Sequence, residues 1–272
     1  MLPELSHLTR ILREAAAAEI MPRFHHARAE RKPDGSLVTA ADIAAQNHIA
    51  AALERDFPAC PLLGEEMTAA QQQQILANAD GGVWVLDPLD GTSNYACGYP
   101  AFGISLALVE GGRAVLGAVL DPVRDECFTA AAGRGAYLDG EPIRPFVTGS
   151  QLDDCLAMVD LKRLPPAALA RLFGSDGFRS QRNLGSVALE WCWLAAGRFQ
   201  LYLHGGQKLW DYAAGRLIAQ ESGIVSRQYL ADGVTPVAGT TLDPCLAIAA
   251  ANQTLFARWL DFVDLPLERS DA

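Results

Sequence analysis

Trp84-Val85-Leu86-Asp87-Pro88-Leu89-Asp90-Gly91-Thr92-Ser93-Asn94 reads as an apolar strand that stops at two acids, a proline and a glycine. The pattern predicts a buried strand delivering Asp87 and Asp90 to its carboxyl end, followed by a turn. In layered α/β folds that end of a strand is where ligand sites gather. Two carboxylates three residues apart on a tight turn can bridge hard cations, which prefer oxygen ligands. Gly91 lets the backbone approach a ligand closely, and Thr92 offers a hydroxyl.

Asp-Gly-Thr after an apolar strand also fits phosphatases with an aspartate nucleophile, whose pattern is Asp-x-Asp-Gly-Thr. Here Pro88 stands two residues before Asp90, so the nucleophile is missing. The Asp-x-x-Asp spacing suits metal bridging better. A turn that merely holds up a loop accounts for either half taken alone.

Working outward, 272 residues suffice for a large core, in one domain or two packed halves. The chain is 50% hydrophobic and 20% charged, ordinary for a globular protein, with a formal net charge of −10. That balance argues against non-specific binding to nucleic acid or an anionic membrane. It would also repel a phosphate ester unless bound divalent cations invert the field locally. Six scattered cysteines with no Cys-x-x-Cys predict neither a disulfide framework nor a zinc cluster. A reducing cytoplasm is therefore the expected setting. Charged residues interrupt any signal-like N-terminal core, and no run approaches the ~20 apolar residues of a membrane span.

Along the chain, Leu5, Leu8, Ile11, Leu12 and Ala15 recur at helical spacing and predict a helix over roughly 4–29, with Pro22 able to kink or split it. Lys32-Pro33-Asp34-Gly35 reads as a turn and 36–39 as a short strand. Thr39-Ala40-Ala41-Asp42 has capping-box spacing and opens a helix to about Asp56, with Ile43, Ile49 and Leu53 expected on one face. A strand ending at Gly64, a helix over 67–79 stopped by Asp80-Gly81-Gly82, and three β segments (101–109, 114–120, 126–131) follow. Residues 132–144 suit a further hairpin.

Residues 1–147 are thus expected as an α+β half with an antiparallel sheet. Residues 148–272 are expected as an α/β half with a mixed sheet. In the second half the pattern predicts strands over 155–159, 199–203 and 245–250. Helices are predicted over 166–173, 185–196, 211–222 and 253–262. The acidic tail 268–272 is expected to be disordered.

Glu65, Asp87, Asp90 and Asp211 all fall at element boundaries. If they converge, they cannot all stay ionised unaided. Two like charges about 4 Å apart repel by about 4 kcal/mol at an effective dielectric of about 20, and crowding raises carboxylate pKa values. Two or three Mg²⁺ ions would remove that cost and activate water against a phosphate ester. Any one of these acids could be a cap or a surface charge. The set carries the reading.

Gly64-Glu65-Glu66, Trp84 to Thr92, and Trp210-Asp211-Tyr212-Ala213-Ala214-Gly215, in that order, resemble the signature motifs of the inositol monophosphatase family. The resemblance implies Mg²⁺-dependent, lithium-sensitive phosphatases of the sugar-phosphatase superfamily, built as an αβαβα sandwich and assembled as homodimers. It implies that Glu65, Asp87 and the Leu89 carbonyl hold one metal, that Asp87, Asp90 and Asp211 hold a second, and that Glu65 shares a weaker third. It gives Thr92 and Asp42 the orientation and deprotonation of the attacking water, and the Gly91 and Thr92 amides the phosphate oxygens. Asp90, Val187, His204 and Asp211 would face the substrate.

Three departures bear on that substrate. His204 stands where the family often has a Glu that contacts inositol hydroxyls, and Val187 replaces a small residue. Asp160-Leu161-Lys162-Arg163 is more basic than usual, whereas Lys208 matches bacterial members. Inositol 1-phosphate is the leading expectation. Histidinol phosphate, fructose 1,6-bisphosphate and 3′-phosphoadenosine phosphate remain open, as does a regulatory binding protein on the same scaffold.

Overall fold

A computed structural model describes residues 3–32, 35–79, 81–174 and 177–265. Pro33 and Asp34 of the expected turn, Asp80 of the expected helix stop, and the 268–272 tail lie outside the described residues.

In chain order, α1 (Leu5–Ala15) is followed by β1 (Glu30–Arg31), β2 (Leu37–Val38), α2 (Ala40–Asp56), β3 (Leu62–Gly64), α3 (Ala69–Ala77) and β4 (Val83–Asp90). Next come α4 (Thr92–Ala96), β5 (Gly103–Glu110), β6 (Arg113–Asp121), β7 (Glu126–Ala131), β8 (Ala136–Leu138) and β9 (Glu141–Pro142). The second half runs through β10 (Leu156–Asp160), α5 (Pro166–Leu172), β11 (Ser180–Arg182), α6 (Val187–Ala195) and β12 (Leu201–Gln207). It closes with α7 (Leu209–Ser222), β13 (Val225–Leu230), β14 (Cys245–Ala250) and α8 (Gln253–Val263).

Two sheets carry the fold, one of seven strands ordered β3 through β9 and one of five ordered β11-β10-β12-β14-β13. Alternation along β4 shows how the layers form. Trp84 and Leu86 face α1 and α2, whereas Val83 and Val85 face α6 and α7. Side chains of period two thus supply both faces of a strand buried on both sides. α6 and α7 fill the space between the sheets, and α5 and α8 cover the outer face of the second, giving the αβαβα sandwich. At Gly117 a Cβ would stand 2.9 Å from the Ala214 carbonyl oxygen, so glycine is what lets α7 sit so close to β6.

Several expectations need correction. The first helix is regular only to Ala15. It continues as a π turn over Ala16–Ile20 and a 3₁₀ turn over Met21–Arg23, where Pro22 has no N–H to extend the ladder. Ile43 is 43% exposed rather than part of the buried face of α2. Six residues separate it from Ile49, about 240° around the helix, whereas Ala45 and Leu53 fall in line with Ile49.

The first sheet is antiparallel except between β3 and β4, which run parallel because α3 carries the crossover. β11 and β13 were not expected. Ser180-Gln181-Arg182 has no apolar residue, and in β13 only Gln228 is fully buried, so neither shows the hydrophobic alternation of a strand.

Candidate active site

Pro88 decides the geometry at the end of β4. In a regular strand, residues 87 and 90 would point to opposite faces. The pairing with β5 shifts register between Asp87 and Asp90, at Pro88-Leu89, where proline cannot supply a ladder N–H. The bulge re-aims both carboxylates into one cavity. Gly91 then takes a φ of +93°, and a Cβ there would stand 3.0 Å from the Ala101 carbonyl oxygen. The chain reverses into α4, which begins at Thr92.

Asp211 arrives from the other half. The Ser105 hydroxyl, on β5 opposite Asp87, donates to the Trp210 carbonyl at 3.0 Å and pins the first turn of α7 against the sheet. One Asp211 oxygen accepts the Lys208 amide at 2.8 Å, capping its own helix. Asp87, Asp90 and Asp211 then offer carboxylate oxygens all within 4.8 Å of one another.

Asp90 ties the halves together. Its Oδ2 accepts the Ser186 hydroxyl at 2.6 Å and the Ala188 amide at 2.7 Å, at the N-terminus of α6. Asn94 adds a second tie by donating to the carbonyls of Ala101 (2.6 Å) and Leu184 (2.7 Å).

The electrostatics follow from burial. Burial pushes Asp90 up to about 6 against the pull of its hydrogen bonds. Asp87 and Asp211 rise well above the ordinary carboxylate range, through burial first and then through repulsion from Glu65 and Asp90. Glu65 lines the same cavity beside Asp87, and burial raises its carboxyl too. The Lys32 ammonium donates to Glu65 at 3.1 Å and to Glu66 at 2.6 Å. An all-carboxylate, crowded donor set of this kind fits a hard divalent cation. Leu89 lines the cavity as well, and its carbonyl accepts the Thr92 hydroxyl at 3.0 Å.

Asp42 caps α2 and faces the site as well, on different oxygens. Its Oδ2 accepts the Thr39 amide (2.8 Å) and hydroxyl (2.6 Å). Its Oδ1 lies 3.1 Å from the Thr92 hydroxyl, which also lies 3.0 Å from the Leu89 carbonyl. Burial raises the Asp42 carboxyl above its ordinary value, which strengthens it as a base.

The cavity holds about 490 Å³ and is lined by Glu65, Asp87, Leu89, Asp90, Gly91, Thr92 and Asp211. Val187, His204, Asp160, Lys162 and Arg163 line it too. His204 lies inside β12 because that strand runs on to Gln207, beyond the expected end at residue 203. Its Nε2 donates to Asp160 at 3.0 Å, and its Nδ1 accepts the Gly206 amide at 3.2 Å. Burial lowers its pKa despite Asp160, so the ring is neutral near pH 7. Asp160 also accepts Arg163 and the Lys162 amide (2.8 Å). Although burial opposes it, the His204 and Arg163 interactions hold that carboxyl well below the usual range.

Three contributors were missed in the sequence. Ser186 sits at the N-cap of α6, a position serine favours, so its capping signal was readable. Asn94 gave no signal. Glu190 lay in an apolar helix, and its Oε1 accepts the Leu184 (3.0 Å) and Gly185 (3.2 Å) amides, holding the loop before α6. Burial pushes its carboxyl up to about 8.

The sequence profile of the inositol monophosphatase family matches residues 4–260. Inositol monophosphatase 1 of Solanum lycopersicum is 37% identical over 216 residues, 76% of this chain and 78% of that protein. The Nus factor SuhB of Vibrio cholerae is 31% identical over 245 residues, covering 83% and 85% of the two chains. An IMPase of Thermotoga maritima superposes with a TM-score of 0.80 at 27% identity, over 96% of each chain. Inositol monophosphatase from Anabaena superposes with a TM-score of 0.75 at 27% identity, over 95% of this chain and 94% of that one.

Proposed function

The chain belongs to the inositol monophosphatase family of phosphomonoesterases, and we propose that it hydrolyses a small phosphate monoester with Mg²⁺, inositol 1-phosphate being the leading substrate. The convergence of Asp87, Asp90 and Asp211 within 4.8 Å, from the two halves of the chain, carries this reading. Glu65, Asp87, the Leu89 carbonyl, Asp90 and Asp211 would hold two to three ions. Such ions supply Lewis acidity toward the phosphoryl oxygens and lower the pKa of water.

The chain's own groups do the rest. Thr92 Oγ1 orients the attacking water and passes a proton to Asp42 Oδ1, the oxygen that Thr39 leaves open. The amides of Gly91 and Thr92 bind phosphate oxygens where α4 begins. Asp90, held by Ser186 and Ala188, keeps the two halves in register around the ester. Six free cysteines accord with a cytoplasmic setting. None of the described helices is long and apolar enough to cross a membrane. Lithium inhibition and homodimer assembly belong to the same reading.

The test is phosphate release from inositol 1-phosphate, histidinol phosphate, fructose 1,6-bisphosphate and 3′-phosphoadenosine phosphate, with and without Mg²⁺. Turnover strictly dependent on Mg²⁺ is expected. No turnover with any ester, together with co-purification of a macromolecule, would instead favour a binding protein on this scaffold.

One observation favours a second reading of the substrate. Where a free carboxylate could accept polyol hydroxyls, His204 is neutral and both Asp160 oxygens are engaged. The same lining carries donors, Lys162 and Arg163, which suit an ester with a second anionic group. Under this reading Arg163→Met lowers kcat/KM for fructose 1,6-bisphosphate and leaves inositol 1-phosphate unchanged. Equal losses for both esters would remove it.

A further inference from the structure

On a different face from Asp211, α7 presents Tyr212 and Arg216, four residues apart and therefore neighbours along one stripe of the helix. With Arg113, Gln220, Glu221 and Thr240 they line a separate cavity of about 350 Å³. Its walls are fixed by hydrogen bonds. The Thr240 amide donates to the Gly112 carbonyl at 3.0 Å, tying that loop to the turn between β5 and β6. The Glu221 carboxylate accepts the amides of Gly133 (2.8 Å) and Gly135 (2.9 Å), closing another side.

Arg216 is the unusual member. Among the described residues no carboxylate pairs with it, and its Nε is buried with no hydrogen-bond partner. The Tyr212 hydroxyl, beside the Cys245 thiol and the Thr241 amide, is buried and also lacks a hydrogen bond of normal geometry. A buried cation without a counter-charge is costly, and a buried donor without an acceptor adds to that cost. Burial accordingly lowers the pKa of the Arg216 guanidinium. Glu221, the one acid of the lining, has each oxygen taken by a glycine amide. Arg113, exposed at the start of β6, lines the same cavity.

We propose that this cavity is a second anion site, distinct from the catalytic carboxylates, which takes a phosphate-type oxyanion between Arg216 and Arg113. The planar N–H forks of two arginines match such an oxyanion bidentately, and Thr240 on the same lining adds a hydroxyl donor. The volume suits a small ligand. The site depends on this cavity alone, whichever ester the catalytic centre takes.

Calorimetric titration of inorganic phosphate into the Mg²⁺-loaded protein tests it. Arg216→Met should bind one phosphate fewer per chain than the parent while keeping its turnover. Arg216→Lys, which keeps charge but loses the fork, should bind that phosphate about tenfold more weakly or worse. Identical stoichiometry and affinity in parent and Arg216→Met would overturn the proposal. Should Arg216→Met fail to fold, Arg113→Met, at an exposed position, decides the matter. About tenfold weakening of one phosphate supports the site, and no change refutes it.

Discussion

Replacing Asp90 by asparagine separates what the carboxylate cluster does for catalysis from what it costs the fold. Burial pushes Asp90 from the ordinary 3.8 up to about 6. In the unfolded chain the group titrates near its ordinary value. Between about pH 4 and 6 the folded protein therefore keeps a proton that the unfolded chain has released. Stability of the metal-free protein falls as pH rises through that window, and above it the penalty is complete.

A shift of about two units corresponds to about 3 kcal/mol. Asparagine carries no charge, and its side-chain oxygen can still accept the Ser186 hydroxyl and the Ala188 amide. Metal-free Asp90→Asn should therefore match the parent at about pH 4. At about pH 8 it should exceed the parent by about 2–3 kcal/mol, or about 5 °C in Tm.

Thermal unfolding by circular dichroism in EDTA, across that pH range, measures this directly. Repeating it with Mg²⁺ should raise the parent's Tm far more than the variant's, and phosphate release by the variant should fall about 10³-fold. A metal-free variant less stable than the parent at about pH 8 would refute the burial argument. So would a Mg²⁺ response that survives the substitution.

Thr92→Val removes the hydroxyl that meets Asp42 and the Leu89 carbonyl. It should cut kcat by about 10²-fold or more while the Mg²⁺-induced rise in Tm persists, since no carboxylate is lost. Glu190→Gln keeps an acceptor for the Leu184 and Gly185 amides but cannot ionise. The parent loses stability as pH climbs from its unfolded value of 4.5 through about 8, so urea unfolding should show the two proteins equal at about pH 4 and the variant ahead above about 8. Gly117→Ala drives a methyl against the Ala214 backbone. A loss of about 1–3 kcal/mol with reduced turnover is expected, because α7 must move and carries Asp211 with it. A denaturation midpoint equal to the parent's would show that the β6–α7 contact yields without cost.

What the sequence determined by itself is the chemistry of the parts. An apolar run broken by Asp87, Pro88, Asp90 and Gly91 announces a strand end rich in carboxylates, and Thr39 to Asp42 announces a capped helix, because hydrophobic period and capping are local properties. β11 and β13 were not legible, since each lies at an edge of the second sheet and holds its place by pairing with a single neighbour rather than by its own alternation. Tertiary structure alone decided that the bulge at Pro88 turns Asp87 and Asp90 the same way, and that Ser105 holds α7 where Asp211 meets them. It alone divided Asp42 between a helix cap and Thr92, and locked His204 to Asp160. The reason is physical: repulsion, burial and hydrogen bonding act through space over a few ångströms, and only the folded chain sets those separations.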